Sequence, residues 1–156
     1  MLHFSGEKEK TGVFELITPD KYEVTLTAEW RETKVSKKRY INCAFMIRKD
    51  VEQDFQGRIV FDGIYESKKT GDLQTSKINA ILSAIPNARQ DFETYDDLIQ
   101  YINGKNMIVE IEVENAKDDN PDSKDKNVIK YLSYEPTQHK TRMEELNEVD
   151  ADDLPF

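Results

Sequence analysis

Cations and aromatic rings crowd into one short stretch of this chain: Trp30, Arg31, Lys34, Lys37, Lys38, Arg39 and Tyr40. Together such residues can hold a strand of nucleotides, because cationic side chains neutralise backbone phosphates and flat rings stack on unpaired bases. Arg48 closes the next apolar run on the same side as Tyr40, and Phe61, Tyr65, Lys68 and Lys69 belong to a third run and the loop after it. Each stacked base contributes roughly 1–3 kcal/mol, so two or three rings suffice for useful affinity once phosphates are also held. Trp30 has two readings that stay open. It continues the alternation of Tyr22, Val24, Leu26 and Ala28, which puts it on the buried side, and it also flanks the basic stretch as a stacking surface. Phe61 and Tyr65 share a side with Ile59, opposite Val60 and Ile64, and parity alone does not say which side meets water.

Other chemistry finds less support, and no enzyme, metal or cofactor is expected. His3 and His139 stand near the two ends, far in sequence from Cys43, which lies in an apolar run. A nucleophile needs an adjacent base, and this pattern supplies none. Lys69-Thr70-Gly71 has some letters of a phosphate-cradling loop in the wrong order. Asp118, Asp119, Asp122 and Asp125 lack the glycine and the closing glutamate of a calcium loop. A single cysteine forms no disulfide within the chain, which fits a reducing compartment. No run nears the ~18 apolar residues of a membrane span, and the first ten residues lack the apolar core of a signal peptide. The expectation is a soluble, cytoplasmic protein that does not enter membranes.

Charge is unevenly placed. The net charge is −9, and residues 142–156 hold six carboxylates against Arg142. The remaining body is still negative, so nucleic acid would have to be held by local basic patches rather than by the total. The end itself, Asp150, Asp152, Asp153, Leu154, Pro155 and Phe156, is a run of carboxylates closed by two apolar side chains and a stiffening proline. It suits a basic partner with a small apolar pocket. An acidic run ending in Asp-Leu-Pro-Phe resembles the C-terminal tip of bacterial single-stranded DNA-binding proteins (SSB), and that resemblance implies recruitment of replication, recombination and repair proteins.

The elements that must position these groups follow from periodicity. Residues 22–30 alternate as a strand; so do 40–48, with Ile41, Cys43, Phe45 and Ile47 inward, and 58–65. Ile78, Ile81, Leu82 and Ile85 give a helical stripe stopped by Pro86. Thr94 with Asp97 forms a capping pattern for a second helix, and Gly104 suits the position past its end. Residues 107–114 and 128–134 complete the strands, and Pro136 is expected to end the folded part. The fold class expected is mainly β with a helical insert. The order β-β-β-α-β-β points to an OB-fold-like five-stranded barrel over residues 1–135, followed by a disordered acidic tail over 136–156.

A second resemblance covers roughly residues 13–114. The segments Phe14-Glu15-Leu16-Ile17-Thr18-Pro19-Asp20-Lys21-Tyr22, Ala28-Glu29-Trp30-Arg31-Glu32-Thr33-Lys34, Asp54-Phe55-Gln56-Gly57-Arg58 and Phe61-Asp62-Gly63-Ile64-Tyr65 resemble an uncharacterised family of phages and prophages of Gram-positive hosts. Its members lie among replication and recombination genes and are regarded as candidates for single-stranded DNA binding. The resemblance implies a phage SSB that coats and protects single strands, working in an infected or lysogenic host cell. It carries no binding residues to transfer; those named above are read from residue type and spacing. Coating proteins often use two or more barrels per site, which leaves a homo-oligomer open. The rival reading is an acidic decoy or adaptor that occupies SSB-tail pockets of host proteins without binding DNA.

Overall fold

The computed structural model describes residues 2, 15–67, 70–119, 121, 123–141 and 144–145. Six strands, β1 (Asp20–Glu32), β2 (Arg39–Ile47), β3 (Ile59–Ile64), β4 (Asn106–Glu114), β5 (Lys126–Ile129) and β6 (Glu135–Pro136), form one antiparallel sheet. Two short helices, α1 (Thr75–Ser83) and α2 (Tyr95–Ile102), lie between β3 and β4. The strand order is β3-β2-β1-β4-β5, with β6 beside β5 on the free side of β4.

The alternation in β1 and β2 decides the inner face. Tyr22, Val24, Leu26 and Ala28 of β1 and Ile41, Cys43, Phe45 and Ile47 of β2 are buried together with Val60 and Ile64 of β3 and Met107, Val109 and Ile111 of β4. The helices cover this face with Ile81 of α1 and Leu98 and Ile102 of α2, joined by Ile85 just past α1. Thr94 caps α2 by accepting from the Asp97 amide, and Gly104 takes a φ of 86° just beyond it. The lead-in is fastened by Asn127, whose amide exchanges two hydrogen bonds of 2.9 Å with the backbone of the buried Ile17.

Three expectations need correction. The sheet is open, not a closed barrel: β3 and β5 share no ladder, and side chains bridge the gap instead. Tyr134 donates to Asp62 at 3.2 Å, and the buried Lys77 of α1 reaches both Asp62 (3.2 Å) and the Gly63 carbonyl (2.8 Å). The strand expected over 128–134 breaks early, because Leu132 adopts a φ of 59° and the Ser133 hydroxyl takes the Glu110 amide that a ladder would use. Nor does packing end at Pro136. Thr137 is buried, Gln138 donates to Glu23, and Asn106 donates to Glu144. Thr141 and Glu144 cap one another reciprocally, a T-x-x-E box that starts a helical turn. Among the described residues no helix is long and apolar enough to cross a membrane.

Candidate nucleic-acid interface

The outer face of the sheet carries the odd-numbered residues of β1 and the even-numbered residues of β2. Register places Phe61 opposite Ala44 and Gly63 opposite Asn42, which settles the parity of β3: Ile59, Phe61 and Tyr65 face outward. Phe61 is 58% exposed and Tyr65 47%. The Tyr65 ring folds back across Gly63 and stacks on Tyr40, with centroids 4.8 Å apart and planes 19° from parallel. A Cβ on Gly63 would lie 2.3 Å from that ring, so the missing side chain is what lets the two tyrosines meet. Burial, helped by Tyr40 and Asp62, raises the Tyr65 hydroxyl above its ordinary pKa.

Beside the rings runs an open groove of about 400 Å³, lined by Thr27, Glu29, Arg31, Asn42, Ala44, Phe61 and Asn103, with Ala28 at its edge. Arg31 projects into it and pairs with Glu29 at 2.7 Å; both are more than half exposed. Asn103, past the end of α2, is fixed by accepting the Ala28 amide at 3.0 Å. Thr27, Glu29, Asn42, Ala44 and Asn103 line the groove but were missed by residue-type reasoning. Thr27 and Asn42 follow from the same alternation that exposes Arg31 and Tyr40; Asn103 lies 75 residues from Ala28, and only the fold brings it there.

The remaining sequence candidates divide. Lys34, Lys37 and Lys38 are exposed in the β1–β2 turn, at the end of the ribbon that bears Arg31 and Tyr40. Trp30 and Arg39 lie on the other side of that ribbon. The Trp30 indole donates to Asp96 at 2.6 Å and meets Tyr95 edge-on, while the Arg39 guanidinium sits 4.1 Å over its ring. Of the two readings of Trp30, the inward one describes its position. Arg48 does share the outer face with Tyr40 but is no candidate for a phosphate. Only 3% exposed, it donates to Asp50 at 2.7 Å, Thr137 at 3.2 Å and the His139 carbonyl at 2.7 Å, and it pairs with the buried Glu23 at 3.4 Å. Lys68 and Lys69 lie outside the described residues, as do Asp150, Asp152, Asp153, Leu154, Pro155 and Phe156.

Away from this face the reactive groups are otherwise engaged. Burial pushes the Cys43 thiol up to about 12, so at neutral pH it holds its proton. Asp125 accepts the Ala116 amide within its own loop, and among the described residues no cluster of three or more His, Cys, Asp or Glu could hold a metal.

What the outer face offers is flat rings, amide groups and an arginine in an open groove, with three lysines at its end. A comparison with curated proteins gives no match. A family model described as "Protein of unknown function (DUF669)" matches residues 4–146, and the chain belongs to that family.

Proposed function

We propose that the protein binds single-stranded DNA on the outer face of β1–β3, without strong sequence preference, and protects exposed strands during phage replication and recombination. The observation that carries this reading is the exposed aromatic platform of Phe61 and the Tyr40–Tyr65 pair beside Arg31 and the turn lysines. Rings serve any base because every base has a π-face, and cations serve any phosphate. The strand order supports the reading as well. Closing the seam between β3 and β5 would give the order of an OB-like barrel, an architecture whose groove lies on strands two and three and the loop between strands one and two. The residues at 150–156 keep the role that their resemblance to SSB tips implies, recruitment of replication and recombination proteins. The chain works without a cofactor.

The test is binding of the full chain to fluorescent oligo-dT and to the matching duplex across a salt series. Preference for the single strand is expected, with log affinity falling by about 0.7 per log unit of salt for each phosphate neutralised. Absence of binding to either form at low salt overturns the reading and leaves the decoy role for the acidic end.

A further inference from the structure

The β1–β2 ribbon outruns the rest of the sheet. Pairing of β1 with β4 stops at Thr25 and Asn106, and pairing of β2 with β3 stops at Ile41 and Ile64, whereas β1 and β2 continue to Glu32 and Arg39. Residues 31–40 therefore stand out as a two-stranded arm with no strand on either side among the described residues. At about 3.3 Å per residue it projects about 13 Å.

A bare two-stranded hairpin is marginal in water, but this one is braced at its base on both faces. Trp30, gripped by Asp96, Tyr95 and Arg39, fixes one face; Tyr40 stacked on Tyr65 fixes the other. Its tip is fixed too, by Thr33. The Thr33 amide donates to the Lys38 carbonyl (2.9 Å), and its carbonyl accepts from Lys37 (3.1 Å). The Thr33 hydroxyl pairs with the Ser36 hydroxyl (2.6 Å) and accepts the Lys38 amide (3.1 Å). Lys37 takes the left-handed conformation, with φ 57°, that this closure requires. The fixed turn lifts Val35 into solvent, 96% exposed, among Lys34, Lys37 and Lys38.

A β-branched apolar residue adds nothing to such a turn, where Gly, Asn, Asp and Ser serve best. At this exposure it also buries nothing within the fold. We propose that the arm is a wedge for the junction between single- and double-stranded DNA. Val35 presses into the terminal base pair and loosens it, and the three lysines hold phosphates of the two backbones that part there. Apolar side chains are a recurring means of prising at base steps. Phosphate charge is dense where two backbones converge, which is where clustered lysines gain most. The strand that leaves the junction passes along the arm past Tyr40 to the platform. A membrane or an apolar protein groove is a poorer match, since one valine among three cations offers too little apolar surface for either.

This inference rests on the single-strand reading of the outer face, and one experiment separates the two. The full chain is titrated against oligo-dT, against a duplex bearing an oligo-dT overhang with a fluorescent purine analogue in its terminal pair, and against the blunt duplex. Expected is a preference of about tenfold for the overhang substrate over oligo-dT, the size of partly burying one valine side chain, with brightening of the analogue as the terminal pair is unstacked. Val35→Ser, at a site that packs against nothing, should bring that preference close to unity and abolish the brightening while leaving oligo-dT affinity unchanged. Equal affinity of the full chain for oligo-dT and the overhang substrate, or a preference that survives Val35→Ser, overturns the wedge and spares the platform. Failure to bind oligo-dT at all overturns both.

Discussion

The half of the outer sheet face around Glu23, Arg48 and Asn106 and the half around Asn42, Phe61 and Tyr65 are built by the same alternation in neighbouring strands, yet they end differently. Residues 137–141 and Glu144 lie against the first half and bury it: Glu23 is 6% exposed, and Arg48 is enclosed with it in a polar network that Thr137, Gln138 and the His139 carbonyl complete. Nothing described crosses the second half, and it keeps its rings and its arginine open to solvent. Residue type and side of the strand are thus insufficient to identify a binding cation. Arg48 and Arg31 share a face, and a segment 91 residues beyond Arg48 decides that one is structural.

The contrast can be broken from either side. The largest effect is expected on the covered half. Arg48→Met leaves Glu23 buried without its counter-charge, a loss of about 3–5 kcal/mol for a pair broken in this way. Urea unfolding should show it as a lower midpoint, while the folded fraction keeps its affinity for oligo-dT. An affinity loss without a stability loss would instead place Arg48 in the interface.

Gly63→Ala sharpens the comparison on the open half. The new Cβ displaces the Tyr65 ring, the movable end of a half-exposed side chain, and so parts it from Tyr40. Loss of one stacking surface weakens oligo-dT binding by about tenfold, with little change in the unfolding midpoint. Unchanged affinity in fluorescence anisotropy would show that the tyrosine pair takes no part.

The smallest effect is one of pH. The hydrogen bond from Arg48 holds the Asp50 carboxyl below its ordinary value of 3.8. A carboxyl whose pKa is lower in the folded state contributes stability in full above its unfolded value and loses it as pH falls through the folded one. Thermal midpoints should therefore fall below about pH 4 partly on this account, and Asp50→Asn should remove that part of the slope. Because Asp50 is 59% exposed, the shift is modest. Identical acid slopes in both proteins would show that the pair contributes nothing.

Much of the frame was legible from local pattern. The alternation in β1, β2 and β4, the stripe of α1 and the Thr94–Asp97 cap of α2 are short-range signals, and each element lies where its signal falls. What escaped was set by distant parts of the chain or by backbone geometry. The seam between β3 and β5 depends on Asp62, Lys77 and Tyr134 meeting across the fold, and the early end of β5 on a left-handed Leu132. The covering segment had a local signal in Thr141 and Glu144, hidden by the acidic composition that surrounds them. In the site, Tyr40, Phe61, Tyr65 and Arg31 were legible as types on one ribbon and its neighbour. That Trp30 and Arg39 brace the ribbon from behind was fixed by contact with α2, which no strand pattern encodes.

The most direct test of the platform is the affinity of the Phe61→Ala/Tyr65→Ala variant for oligo-dT, set beside the unaltered chain at the same salt. Both rings are about half exposed, so the variant keeps its fold, as circular dichroism and the thermal midpoint will report. Loss of two stacking surfaces weakens binding by about thirtyfold or more if the outer face holds the strand. A folded variant that binds oligo-dT as tightly as the unaltered chain would contradict the account and move the interface elsewhere on the molecule.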